Sequence, residues 1–90
     1  MRKEEYKTIT LMAARLLGLQ AEVYYLQMFD PQNEKPKILD AFLDKVASLP
    51  KTNIGAKVAT QLKKRGFALS AKQAYHIAKT AIRHKIELHE

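Results

Sequence analysis

The chain has no cysteine, and only three glycines and three prolines among its 90 residues. Without cysteine it has no disulfide framework, no thiolate metal site and no cysteine nucleophile. It is compatible with a reducing compartment, which points to the cytoplasm. With 47% apolar and 28% charged residues, so few glycines and prolines exclude a low-complexity or disordered chain and fit a single helical domain over residues 1–90. A domain of this size builds a modest core, and dimerisation is a common supplement. Long apolar runs are missing too. The opening "MRKEEYKTIT" contains two Glu, and the apolar stretch after it is interrupted by Arg15, Gln20 and Glu22, so neither a signal peptide nor a membrane span is expected.

The most informative absence is that of acid in the second half. Residues 1–45 carry seven Lys/Arg against seven Asp/Glu, whereas residues 46–90 carry nine against two, Glu87 and Glu90, and none between Val46 and Ile86. The whole net charge of +7 is therefore C-terminal. An ordinary solvated helix mixes signs in i, i+4 pairs. Uncompensated like charge slightly destabilises a fold, and its presence favours an anionic partner, either a nucleic acid or an acidic protein surface.

Helical spacing organises the rest. From Arg2 to Phe29 the residues are good helix formers, with Tyr6, Ile9, Met12 or Ala13, Leu16, Leu17, Gln20 and Val23 on one stripe. Gly18 inside this run marks either close packing or a break into two helices. Beyond it "LQAEVYYLQMF" is apolar on almost every side and needs enclosure by neighbours or by a second copy of the chain. Its aromatic end, Tyr24, Tyr25, Met28 and Phe29, reads first as core and second as the interface of a homodimer through this helix. "DPQNEKPK" is a loop, and Pro36 suits the first turn of a second helix buried through Ile38, Leu39, Phe42, Leu43, Val46 and Leu49. Thr52 or Asn53 can cap a third helix buried through Ile54, Val58, Ala59 and Leu62, and Gly66 is placed to end it. Ser70 with Gln73 forms a capping box, opening a last helix whose core face is Ala74, Ile77, Ala78, Ala81 and Ile82. The expected fold is all-α, a compact bundle of four helices at about 3–29, 37–49, 54–65 and 71–88, the last two forming a helical hairpin.

On the last helix, Lys72, His76, Lys79 and Arg83 fall at i, i+4, i+7 and i+11, one face opposite the alanine and isoleucine side. Lys57, Lys63, Lys64 and Arg65 come from the helix before it, the last three at the turn end of the hairpin. With Gln73, these residues form the candidate nucleic-acid surface. The cations offer charge to phosphates, and Gln73, Thr80 and His84 beside them offer hydrogen-bonding groups to base edges. The expectation is that these cations converge on one exposed wall that no acidic side chain neutralises.

The segment 57–85, "VATQLKKRG" followed by a turn and an alanine-rich helix, resembles a helix-turn-helix hairpin, although the turn "GFAL" with the cap Ser70 makes five residues, longer than that motif's three or four. The resemblance implies a recognition helix in which Lys72, Gln73 and His76 face bases while Lys79 and Arg83 face the backbone. The pattern of a glycine, "LSAKQ" and a helix is also similar to hairpins in small accessory proteins of phages and mobile elements.

Chemistry elsewhere is sparse. His76, His84 and His89 lack the i, i+4 spacing of a metal pair, Ser48 and Ser70 have no neighbouring base, and Gly18, Gly55 and Gly66 do not make a phosphate loop. Asp40 and Asp44 are one turn apart on a solvated face. No catalytic role, metal or cofactor is therefore expected. The sequence supports two functions: a non-enzymatic nucleic-acid-binding protein using the basic hairpin, or an interaction or inhibitor module docking an acidic protein.

Overall fold

The structure, a computed structural model, describes residues 3–29, 32, 35–65 and 69–88, without the side chains of Tyr24, Leu26, Gln27, Met28, Lys35, Pro36 and Arg65. Four helices follow one another: α1 (Lys3–Phe29), α2 (Lys35–Ala47), α3 (Ile54–Arg65) and α4 (Ala71–Arg83). Among the described residues there is no strand, and the bundle is all-α. No helix among them is long and apolar enough to cross a membrane. The Cα radius of gyration is 12.7 Å, close to the roughly 12 Å of a closed globule of this length. The four helices therefore share one core instead of trailing apart.

That core is built where apolar side chains recur every three or four residues. Ile9, Ala13, Leu16, Leu19 and Val23 line α1, Leu39, Phe42, Leu43 and Val46 line α2, Ala56, Ala59 and Leu62 line α3, and Ala74, Ile77, Ala78 and Ala81 line α4. Burying a side chain such as Ile9, Leu16 or Ile77, all fully enclosed, contributes about 1.5–3 kcal/mol each. α4 packs against α1 and α3, and α3 packs also against α2. Ala74, Ala78 and Ala81 of α4, fully buried, allow these close approaches.

α1 is unbroken through Gly18, and a Cβ built there meets nothing within 4 Å. Both sequence expectations for this glycine, a close contact or a break, are thereby excluded. Gly18→Ala should raise stability by about 1 kcal/mol, because alanine orders at lower entropic cost in an open helical position. A thermal melt shifted upward by roughly 4–8 °C checks this; a fall would mean that the position is crowded after all. Further along, Tyr25 and Phe29 are 63% and 69% exposed, which corrects their assignment to the core. Their rings pair with each other, centroids 5.0 Å apart, on the outside of the helix. Tyr24 and Met28 have side chains outside the described residues.

Helix ends moved for identifiable reasons. α2 begins and ends two residues earlier than expected, at Lys35 and Ala47. The Ser48 hydroxyl donates to the Lys45 carbonyl at 2.7 Å, and Leu49 N–H donates to Val46 O at 3.2 Å, a tightened last turn. Leu49 precedes Pro50, and the residue before a proline is disfavoured in the α region. The Lys51 ammonium then ties the elements together, donating to the Ala47 carbonyl and, at 2.7 Å, to Thr60 Oγ1 on α3.

The expected end of α4 at residue 88 is corrected to Arg83. Lys85 adopts φ 56°, Lys85 N–H donates to Ile82 O at 3.2 Å, and Ile86 N–H donates to Ala81 O at 2.8 Å. These bonds make a Schellman motif with His84 as C-cap and Lys85 in the left-handed position usually taken by glycine. A continued helix would have put Ile86 seven residues after Lys79, on the charged face. Reversal instead packs Ile86 against the core and buries Leu88. Lys85→Gly should stabilise the protein by about 1 kcal/mol by relieving the Cβ strain of that conformation. The check is a higher urea midpoint with an unchanged slope.

Ile54 is 59% exposed, which corrects its placement in the core of α3. The buried seam runs instead through Gly55, Ala56, Ala59 and Leu62, and Val58 is half-buried. Gly55 explains the phase: a Cβ there would lie 2.6 Å from the His76 carbonyl oxygen and 2.1 Å from Thr80 Oγ1. The backbones of α3 and α4 meet at this point because the side chain is absent.

Candidate nucleic-acid interface

Ser70 fixes where α4 starts. Its hydroxyl accepts from Gln73 N–H at 3.1 Å, and the Gln73 carboxamide oxygen accepts from Ser70 N–H at 2.9 Å, the reciprocal capping box expected from the sequence. With the start set, helical geometry sets the faces. Ala74, Ile77, Ala78 and Ala81 have no exposed surface, so Lys72, His76, Lys79 and Arg83 point away from the core. Lys72 and Arg83 are exposed, while His76 and Lys79 are half-buried.

The half-burial comes from α3. Because Gly55 lets the two helices touch, the segment Thr52–Ile54 stands beside the middle of α4. Thr52, Asn53 and Ile54 form one wall of a groove of about 210 Å³, and His76, Lys79, Thr80 and Arg83 form the other. Asn53 supplies the first carbonyl of α3, accepting from Lys57 N–H at 3.3 Å, but its side-chain amide donates back to Pro50 O at 3.1 Å instead of capping the helix. The groove is polar and cationic, and no carboxylate lines it. The His76 ring sits edge-on to Tyr75, centroids 5.9 Å apart, and Tyr75 in turn lies 6.2 Å from Tyr6 of α1.

Sequence reasoning placed Thr80 beside this face but did not include Thr52, Asn53 and Ile54. The available signal was Gly55, a glycine at the second position of a helix whose neighbours Ile54 and Ala56 are ordinary helix residues. Such a glycine often marks close backbone approach.

The remaining expected residues divide. Lys57 and Lys64 are exposed and seven residues apart, so they share one face of α3. The Lys63 ammonium is turned to α2, where it pairs with Asp44. Arg83 Nε lies 3.5 Å from Glu5 Oε1 of α1. The expectation of a wall free of acid is corrected accordingly: carboxylates from the first two helices reach two of its cations. Among the described residues none pairs with Lys57, Lys64, Lys72 or Lys79. Gln73 has its carboxamide oxygen committed to the cap. Arg65 ends α3, with its side chain outside the described residues, as are Gly66, Phe67 and Ala68 of the expected turn.

Among the described residues, no three His, Asp or Glu side chains come together in a way that would hold a metal ion. No family model matches the chain, and no curated protein or solved structure matches it either.

Proposed function

We propose that the protein binds nucleic acid without catalysing a reaction, meeting the phosphate backbone with the outer face of α4 and the adjoining cations of α3. The observation that carries this reading is the phase of α4: its core side is closed by fully buried alanine and isoleucine, which leaves Lys72, His76, Lys79 and Arg83 together on the opposite side. Lys72 and Lys79 have no carboxylate partner among the described residues. Phosphate neutralisation releases condensed counterions, so such a face gains affinity from any polyanion backbone, and gains most at low salt.

The pairs Lys63–Asp44 and Arg83–Glu5 narrow the reading to Lys72, His76 and Lys79 as the centre of the surface, with Lys57 and Lys64 as outliers on α3. They also supply weak internal competition, since exposed ion pairs contribute only about 0–1 kcal/mol and exchange readily for a phosphate.

The test is a titration of fluorescent random-sequence duplex and single strand at low and moderate salt. Binding that falls steeply with salt supports the proposal. Absence of binding to both at low salt rejects it in favour of an acidic protein surface as the partner, where the same cations would steer association.

A further inference from the structure

We propose that the groove between Thr52–Ile54 and the middle of α4 is a seat for one phosphate group, occupied by a single phosphodiester when nucleic acid is bound. The phosphodiester as occupant rests on the nucleic-acid reading; the oxyanion seat itself does not.

Three observations separate this groove from the rest of the basic surface. Lys57, Lys64 and Lys72 stand exposed, whereas His76 and Lys79 are half-buried where the first turn of α3 rises beside them. A partly enclosed cation is less screened by solvent and interacts more strongly with a bound anion. Second, the lining is one-sided in charge: Lys79 and Arg83 on α4, with His76 beside them and the neutral polar Thr52, Asn53 and Thr80 around them. Spaced three and four residues apart, the three α4 side chains project over the same volume. A groove of about 210 Å³ has room for a tetrahedral oxyanion with several waters, each of which takes up about 30 Å³ in the liquid.

Third, the nearest carboxylate is loosely held. Glu5 reaches Arg83 Nε at 3.5 Å, longer than the roughly 2.7–2.9 Å of a tight charge-assisted bond. A phosphate can therefore take Arg83 from Glu5 with little loss. The cations carry the proposal, and the adjacent start of α3 adds the positive end of its dipole.

The experiment is a titration of the full chain with inorganic phosphate at constant ionic strength, chloride being exchanged for phosphate, followed by amide ¹H–¹⁵N spectra. The expected result is saturable movement of the Thr52–Ala56 and His76–Arg83 amides. Lys79→Ala should weaken it about tenfold, the low end for a lost hydrogen bond to a charged group. Lys45→Ala, on α2, should not change it, and the rest of each spectrum reports that the variants are folded. A second arm repeats the titration with a short DNA duplex. Movement of the same amides identifies the occupant as a phosphodiester. Groove amides that do not respond to phosphate overturn the seat. Duplex binding that leaves the groove amides still also overturns it, while the nucleic-acid reading stands. Phosphate seated in the groove with no duplex binding at all supports the seat as a site for free phosphate and rejects nucleic acid as its occupant.

Discussion

Gly55→Ala should cost about 3 kcal/mol, the upper end of the usual range for forcing a methyl group into a packed interface. The same substitution at Gly18 should stabilise, and the contrast isolates the cause. At Gly55 the new Cβ would stand 2.1 Å from Thr80 Oγ1, 2.5 Å from Thr80 Cβ and 2.6 Å from the His76 carbonyl oxygen. Rotating Thr80 about χ1 moves Oγ1 but leaves Cβ and the carbonyl in place. Relief therefore requires α4 to move off α3. Since α4 also packs against α1 with Ile77 fully buried, that shift opens the core as well as the contact. The helix-propensity gain of alanine, about 1 kcal/mol, opposes the clash without matching it. A small domain with roughly 5 kcal/mol or slightly more to spare would lose a large part of its stability. Chemical denaturation of both alanine variants beside the parent provides the measurement. A combination with Thr80→Ala should recover little, because the carbonyl of His76 remains in the way. Full recovery in the double variant would show that the hydroxyl alone was responsible.

The four helices were legible because they rest on local signals. Pro36, Pro50, Ser70 with Gln73, and the three-to-four spacing of Leu39, Phe42, Leu43 and Val46 each act within a few residues, and the helices stand within two residues of where these place them, except at one end. The exception is instructive. Ala74 through Ile82 predicts helix equally well on either side of Arg83, and nothing in the composition of "HKIELHE" demands a stop. The stop is tertiary: only by reversing at Lys85 do both Ile86 and Leu88 reach the core. Leu88 is 6% exposed, and that burial outweighs the strain of a lysine at positive φ. Ile54 shows the opposite failure. Its spacing with Val58 and Leu62 is a valid helical stripe, but contact with α4 at Gly55 rotates α3 so that the glycine faces inward and Ile54 outward.

For the surface, the face of α4 could be read from i, i+4, i+7 spacing alone, because residues on one helix keep a fixed angular relation wherever the helix goes. Relations between helices could not. That Asp44 would take Lys63 and Glu5 would approach Arg83 depends on how α2 and α1 lie across the hairpin, and a charge count along the chain carries no such information. For the same reason the groove is legible only as far as the hint of Gly55, since Thr52 and Lys79 are joined by the crossing there.

The largest functional effect is expected from replacing Lys72, Lys79 and Arg83 together by alanine. Each phosphate contact on B-form DNA contributes about 0.9 to the slope of log affinity against log salt, so three lost contacts should flatten that slope by about 2.7 units and weaken binding at 0.1 M salt a hundredfold or more. Stability should fall only by about 1 kcal/mol, mainly through the half-buried stem of Lys79 and the Arg83–Glu5 pair, and a melt of the variant beside the parent separates lost binding from unfolding. The internal carboxylates allow a test of opposite sign. Glu5→Gln releases Arg83, and Asp44→Asn releases Lys63; each should tighten binding by up to about fivefold, the range of an exposed ion pair. Random attraction between a basic protein and a polyanion would make both neutralisations equal, in proportion to net charge. A specific surface on α4 makes Glu5→Gln the stronger of the two, because Arg83 shares a face with Lys72 and Lys79 while Lys63 is turned toward α2. Salt titrations of the parent, the triple variant and the two single neutralisations read all of this from one set of curves. An unchanged slope in the triple variant would remove α4 from the interface altogether.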